Sequence, residues 1–299
     1  MRALVCPGQG SQKKGFLSPW LEIEGVREHL ERLSEAAGID LIHYGTEAEE
    51  ETIKDTAIAQ PLIVAAGIVT GRLALRELDG EELIFAGHSV GEITAAALAG
   101  VLSDEDAMRF VRVRANGMAE AAAASPTGMA AVLGGAEENV REAIDAAGLV
   151  AANSNGGGQI VAAGPIPAIE AFAANPPARA RVIPLKVAGA FHTEAMAPAV
   201  PALEEFSASL QVSDPISALL TNRDGSAVAS GEEFVKTLVS QVTSPVRWDL
   251  CMATLLEREV AGIIEVAPAG TLIGLAKRAM RGVPGTSINT PEDLASLKG

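Results

Sequence analysis

Gly87-His88-Ser89-Val90-Gly91 fits the pattern G-x-S-x-G, in which a serine hydroxyl acts as a nucleophile toward an acyl carbon. The two glycines permit a sharp turn from strand into helix, which lifts the hydroxyl clear of the sheet and aims the next amide at a developing oxyanion. Ser89 is therefore the expected nucleophile, and the Val90 N–H an expected oxyanion donor. The pentapeptide alone fits a Gly-rich helix cap nearly as well. Its context favours the catalytic reading, because the apolar run 83–86 reads as a strand before it and the small-residue run 90–99 as a helix after it.

A serine nucleophile needs a base, and the chain has four histidines. His29 sits in a charged helical stretch with Glu28 and Glu31 and reads as a surface residue. His43 has no motif around it. His88 adjoins Ser89, so on a tight turn its ring is expected to splay away from the hydroxyl and shape the pocket. His192 remains, in the loop Val187-Ala188-Gly189-Ala190-Phe191-His192, where a return to the main sheet brings it toward Ser89 as general base and then acid. A lone loop histidine is more often a solvated side chain, and on the residues alone that alternative stays open.

These residues need a frame. Arg2–Cys6 is a short apolar run stopped by Pro7 and Gly8, and reads as a buried strand ending in a loop. Residues 19–37 and 58–78 carry helical apolar spacing. Ser103, Glu105 and Asp106 form the cap and acidic first turn of a helix running to about Ala124. This alternation predicts an α/β architecture with a mainly parallel sheet. Between 127 and 188 the texture changes to strand 129–133, helix 137–147, strands 149–153 and 159–163 around Asn155-Gly156-Gly157, helix 166–174 and strand 180–185. That βαββαβ order is the ferredoxin-like split motif. It predicts a small domain at 127–188 inserted into a discontinuous main domain of residues 1–126 and 189–299, with one continuous doubly wound sheet as the alternative. Beyond it, helices over 194–210, 232–241, 248–258 and 271–281 alternate with strands over 216–220 and 263–266.

Lys and Arg total 23 against 38 Asp and Glu, a formal charge of −15, which argues against a protein that tracks nucleic-acid phosphates. Two cysteines, Cys6 and Cys251, are too few for a disulfide framework and lack metal-ligand spacing, so no metal site is expected and a reducing cytoplasm is the simplest compartment. The run Thr56–Gly71 contains Gln60 and Pro61 and falls short of the roughly 20 residues that span a bilayer, so it reads as a buried helix and no membrane attachment is expected.

Pro7-Gly8-Gln9-Gly10-Ser11-Gln12 after the first strand, the GHSVGE run Gly87–Glu92, Arg114 in the next helix and Gly189-Ala190-Phe191-His192 occur in order at suitable distances. Together they resemble the malonyl-CoA:acyl carrier protein transacylases, loading enzymes of fatty acid and polyketide synthesis, over nearly the whole chain. The resemblance implies an α/β-hydrolase-like parallel-sheet core carrying the ferredoxin-like insertion. It also implies a double displacement, with a malonyl group passing from coenzyme A to Ser89 and then to the phosphopantetheine thiol of acyl carrier protein. His192 would be the base, oriented by the main-chain carbonyl of Gln241 rather than by a carboxylate. The Gln9 amide would join that of Val90 at the oxyanion. Arg114 would grip the free carboxylate of malonate, which in a dry pocket needs a fixed bidentate cation. Asn153, with Asn155 and Gln159, would face the pocket.

Phe191 before the histidine and Val90 after the serine match malonyl-selective members of that family, since an aromatic ring crowds an α-methyl branch. Gly189 stands where HAFH is the frequent spelling, with no catalytic consequence. The implied partners are malonyl-CoA and acyl carrier protein, without nucleic acid, membrane or any cofactor of the chain's own, and the implied state is a cytoplasmic monomer. Carrier proteins are usually acidic, so docking on a −15 chain calls for a local basic rim, with Lys13 and Lys14, Arg179, Arg181 and Lys186, or Lys277, Arg278 and Arg281 as candidates.

Two other readings compete. A serine hydrolase would need an Asp or Glu between the serine and the histidine, and Asp104, Asp106 and Asp145 all fall in predicted helices rather than after a late strand. A non-catalytic carrier-binding subunit would lack Ser89, His192 or Arg114, and the chain keeps all three.

Overall fold

Ala3, Leu4, Val5 and Cys6 are wholly buried because the strand they form lies at the centre of a parallel sheet, covered on both faces. The computed structural model describes residues 1–298. In chain order its strands and helices are β1 (Arg2–Cys6), α1 (Val26–Ala37), α2 (Leu41–Thr46), α3 (Thr56–Glu77), β2 (Leu83–Gly87), α4 (Gly91–Leu98), α5 (Asp104–Ala124), β3 (Thr127–Gly134), α6 (Glu137–Ala146), β4 (Val150–Gly156), β5 (Gln159–Pro165), α7 (Ile166–Ala174) and β6 (Ala180–Pro184). They continue as α8 (Val200–Ser207), β7 (Ala218–Leu219), α9 (Gly231–Ser240), β8 (Val246–Arg247), α10 (Trp248–Glu257), β9 (Ile263–Glu265), α11 (Thr271–Ala279) and β10 (Gly285–Ser287).

The main sheet has the order β10-β9-β1-β2-β7 with every pairing parallel. Cys6 is in register with Gly87, so the loop after β1 and the turn after β2 leave the sheet side by side, where ligands bind in open α/β sheets. The His88 N–H donates to the Cys6 carbonyl at 2.9 Å and ties the two together.

Behind this edge lies α3, buried along most of its length. It is long and apolar enough to cross a membrane, yet 78% of its most apolar window is buried inside the protein. Gly67 and Gly71, one helical turn apart, let α4 come close: a Cβ on Gly67 would lie 2.6 Å from the Thr94 methyl, and one on Gly71 2.4 Å from a Leu98 methyl. Pro61 lacks an N–H, which leaves the Ala57 carbonyl without its helical donor. Arg112 Nη1, from α5, supplies the missing hydrogen bond at 3.0 Å.

The second sheet has the order β6-β3-β5-β4-β8, with antiparallel pairings among β3 to β6. Strand alternation divides its residues between two environments. Ala130, Val132, Ile160 and Ala162 pack with Ile144, Ile169 and Phe172 of α6 and α7 in a separate small core. Met129, Ala131, Gln159 and Val161 face the other way and line a cavity above the β2 turn. The edge is extended by β8, which pairs parallel to β4 and comes from far outside the 127–184 segment.

Some elements depart from the sequence expectation. The helix expected over 19–37 is broken into a 3-10 turn, Ser18–Glu22, and α1, because Gly25 takes a left-handed φ of 81°. The stretch 194–210 opens as a 3-10 turn, Glu194–Ala199, with Pro198 inside it, and only then becomes α8. The two-residue β8 and three-residue β10 exist through their pairing partners and carry no propensity signal of their own.

The β2 turn is packed tightly enough to test. A Cβ on Gly91 would sit 2.2 Å from the Cys6 carbonyl oxygen, a backbone atom with no freedom to yield. Gly91→Ala is expected to destabilise the protein by about 2 kcal/mol or more, read as a lower midpoint in urea. A wild-type midpoint would mean that the turn is looser than its geometry.

Candidate active site

Ser89 follows β2 with a left-handed φ of 54°, a conformation that costs free energy for a non-glycine residue and is held by its surroundings. Asn222, after β7, clamps the turn from outside. Its Oδ1 accepts the Ser89 N–H at 2.7 Å, and its Nδ2 donates to the Gly87 carbonyl at 2.7 Å. The hydroxyl points to His192, whose Nε2 lies 2.7 Å from Ser89 Oγ. The ring's Nδ1–H donates to the Gln241 main-chain carbonyl at 2.9 Å. That bond fixes the tautomer: Nε2 carries no proton in the neutral ring and accepts from the hydroxyl. His192 also has a left-handed φ, 61°, and is buried.

Arg114 is 1% exposed, and among the described residues no carboxylate touches its guanidinium. Nη1 donates to Gln60 Oε1 at 2.6 Å, Nη2 to Gln241 Oε1 at 2.9 Å, and Nη2 stands 3.4 Å from Ser89 Oγ. Its buried Nε–H has no acceptor among the described residues. A buried cation held only by neutral amide oxygens, with a donor to spare, is suited to receive an anion. The other two arginines of α5 are spent elsewhere, Arg109 on Asp106 and Arg112 on the Ala57 carbonyl.

A cavity of about 450 Å³ opens from Ser89 and His192 between the two sheets. Gln9, Val90, Asn153, Phe191 and His88 all reach its wall. Among the described residues the Gln9 and Val90 amides have no protein acceptor, and both residues line the cavity with Ser89. The Gln9 side chain is held by Thr56 and Gln60, each at 3.3 Å. His88 turns away from Ser89, donating from Nε2 to Asn155 Oδ1 at 2.8 Å and packing edge-on against Trp248. Lys54 and Lys186 line the same cavity. Among the described residues no cluster of His, Cys, Asp and Glu could hold a metal ion.

Burial, aided by the nearby Arg114 charge, pushes His192 down to about 3 from the ordinary imidazole value. Burial likewise lowers Arg114 to about 10, opposed by Glu92, so it remains charged at neutral pH. Because the folded-state value of His192 lies below the ordinary value of about 6.5, the ring stays neutral and able to accept a proton through that region. The single-turnover rate of acylation by acetyl-CoA, which brings no distal charge, is therefore expected to stay flat from about pH 8 to about pH 5. A half-fall centred on about pH 6.5 would show the ring titrating normally.

The structure thus brings Ser89, His192, Arg114, Gln9, Val90 and Gln241 to one point, with His88, Phe191 and Asn153 on the surrounding wall. Three buried polar residues in the same network are given no role by the sequence reading: Gln60, Glu92 and Asn222. A signal existed for the first two, since each is a polar residue in an otherwise apolar helical run. One expectation is corrected. His29 is not a solvated side chain; its Nε2 meets Asp104 Oδ2 at 3.1 Å, where Arg72 also binds that carboxylate. Asp104 and Asp106 are thereby engaged with other partners, and the group on His192 Nδ1 is a carbonyl rather than an acid.

A parallel α/β core with a serine at the strand-to-helix turn and an imidazole on its hydroxyl defines the class of serine-dependent acyl-transfer proteins. Residues 3–290 match the acyl transferase domain family. The chain is 52% identical over 299 residues to the malonyl CoA-acyl carrier protein transacylase of Mycobacterium tuberculosis strain H37Rv, covering 99% of each. It is 32% identical to that of Escherichia coli K12, covering 98% of this chain and 97% of the other. The crystal structure of MCAT from Mycobacterium tuberculosis superposes with a TM-score of 0.98 at 51% identity, over 100% of both chains. A malonyl-transacylase in complex with its type II PKS acyl-carrier protein superposes with a TM-score of 0.91 at 29% identity, over 99% of this chain and 98% of the other. The chain belongs to the malonyl CoA-acyl carrier protein transacylase family.

Proposed function

We propose that the chain transfers a malonyl group from malonyl-CoA to the phosphopantetheine thiol of acyl carrier protein, through an ester on Ser89. In the first half, Ser89 Oγ attacks the thioester carbonyl while its proton passes to His192 Nε2. The oxyanion is taken by the Gln9 and Val90 amides. Collapse breaks the carbon–sulfur bond, and the imidazolium returns its proton to the departing coenzyme A thiolate. In the second half the carrier's thiol gives its proton to His192, attacks the ester, and Ser89 leaves as the alcohol. Arg114 holds the malonyl carboxylate throughout, and the chain supplies no cofactor of its own.

The observation that carries this reading is the contact of one hydroxyl with both an imidazole, at 2.7 Å, and a carboxylate-free buried guanidinium, at 3.4 Å. Phe191, buried at the wall, favours the unbranched malonyl group over an α-methyl homologue; a methyl group is worth about 1–3 kcal/mol in such a pocket. Residues 127–188 are read as an inserted domain between the two parts of the catalytic domain, 1–126 and 189–299. Its separate apolar core supports this, and the pairing of β8 with β4 ties it to the rest. Buried, unpaired Cys6 and Cys251 suit the cytoplasm.

The test is intact-protein mass spectrometry after mixing with malonyl-CoA, followed by addition of a phosphopantetheinylated carrier protein. The expected result is one malonyl adduct that is discharged onto the carrier. Equal loss of the adduct with and without carrier would point to a hydrolase.

A further inference from the structure

We propose that Glu92 is a positioning residue for this reaction: its carboxylate fixes which way the Gln241 side-chain amide faces, and so keeps an oxygen rather than an N–H against Arg114. The inference rests on the reading of Arg114 as the malonyl carboxylate's partner. Glu92 lies in the first turn of α4 and is wholly buried. It forms no hydrogen bond to Ser89 Oγ, His192 or Arg114, so its influence on the chemistry passes through two intermediaries.

One intermediary is Asn222. Glu92 Oε1 accepts the Asn222 main-chain N–H at 2.6 Å, and the side chain of that same Asn222 bridges the Gly87 carbonyl and the Ser89 N–H. The other is Gln241. Its Nε2 donates to Glu92 Oε2 and, at 3.1 Å, to the Ser89 carbonyl, while its Oε1 accepts from Arg114 Nη2 and its main-chain oxygen accepts from His192. A primary amide can be rotated end for end at almost no steric cost, so hydrogen-bond partners alone decide its direction. Both Glu92 oxygens accept N–H donors, Oε1 from Asn222 and Oε2 from Gln241. Burial raises the carboxyl to about 7, so at about pH 8 it has no proton to offer and accepts only the NH2 end.

The arrangement also answers a problem of charge. A buried guanidinium needs a nearby anion, but a carboxylate paired directly with Arg114 would compete with the substrate's own. Glu92 supplies negative charge at one remove, with a neutral amide between, and the cation keeps its capacity for a ligand. Its place in the first turn of α4 puts that charge at the positive end of the helix.

The experiment compares acylation kcat/KM for malonyl-CoA with that for acetyl-CoA, which has no distal charge, in wild type, Glu92→Gln and Glu92→Asp. Glutamine is isosteric, but with its one oxygen on the fixed Asn222 N–H it meets the Gln241 NH2 with an NH2 of its own. That leaves only the Ser89 carbonyl to hold the NH2 end and loosens the amide oxygen's grip on Arg114. The malonyl-to-acetyl ratio is expected to fall about tenfold or more in Glu92→Gln. Aspartate keeps a donor-free carboxylate and should hold the ratio within about threefold, while slowing both thioesters together as Asn222 slackens. A merely structural role would leave the ratio unchanged in both variants.

A folded Glu92→Gln with the wild-type ratio would overturn the proposal, as would a Glu92→Asp that loses the ratio to the same extent. Should Glu92→Gln fail to fold, Gln241→Met takes its place, since it removes the amide between Glu92 and Arg114 while leaving the main-chain carbonyl on His192, and a wild-type ratio there would overturn the proposal. A wild type without malonyl preference would instead count against the reading of Arg114, which separates the two failures.

Discussion

Ser89→Ala is expected to abolish the malonyl adduct and to reduce transfer to carrier protein by about 10⁴-fold or more. The proposed nucleophile is a single atom, and among the described residues no other hydroxyl stands on His192 Nε2. Water admitted beside the neutral imidazole would at best hydrolyse malonyl-CoA slowly, assisted by whatever stabilisation the Gln9 and Val90 amides still give the oxyanion. The two halves of the reaction should therefore fail together, because both pass through the same ester. Stability should fall by only about 1 kcal/mol, the cost of the bond lost to His192, since the bond from Arg114 is long, at 3.4 Å, and the Asn222 clamp grips the backbone of the turn rather than its side chain. Mass spectrometry and a urea transition on the same preparation separate the outcomes. An adduct persisting in a folded Ser89→Ala protein would place the nucleophile elsewhere.

The Ser89 turn was legible because backbone geometry imposes residue types locally: a Cβ at Gly87 would lie 2.0 Å from the Gly91 carbonyl carbon, and one at Gly91 2.2 Å from the Cys6 oxygen. The alternation of strands and helices was legible for a similar reason, as was the ferredoxin-like order, in which β3 and β5 show one face to a small core and the other to the cavity. What crosses from one element to another left no local trace. Pro61 announces an orphaned carbonyl at Ala57, but nothing in the neighbouring residues names Arg112 as its donor, 55 positions away. His29 among glutamates reads as surface, and becomes half-buried only because Arg72 of α3 and Asp104 of α5 close over it. The roles of Gln60, Glu92 and Asn222 are likewise tertiary: each is a buried amide or acid whose meaning lies in the partner it faces. His192 and Arg114 entered the sequence reading chiefly through motif likeness, and the network around them supplies the physical reason for their types.

Arg114→Ala is expected to lower acylation by malonyl-CoA about 10³-fold while changing that by acetyl-CoA by less than about tenfold, so that the preference for the charged thioester collapses or inverts. The malonyl carboxylate enters a site whose wall offers, in place of water, the fork of one guanidinium held at 2.6 Å by Gln60 and 2.9 Å by Gln241. Without that fork the carboxylate is desolvated with no compensating charge, a penalty of several kcal/mol. Acetyl-CoA brings no anion and should feel mainly the altered shape. Removing the cation also withdraws one of the effects that hold His192 low, so the acid limb of acetyl transfer should move up toward the ordinary imidazole value. The comparison belongs at about pH 8, where the ring is neutral in either protein. Glu92 loses its compensating charge as well, and a lower urea midpoint is expected from that alone. Arg114→Lys distinguishes charge from geometry: a point charge without the planar fork should recover part of the malonyl rate but not all of it. Equal losses for malonyl-CoA and acetyl-CoA in a folded Arg114→Ala protein would mean that the guanidinium supports the site without reading its cargo.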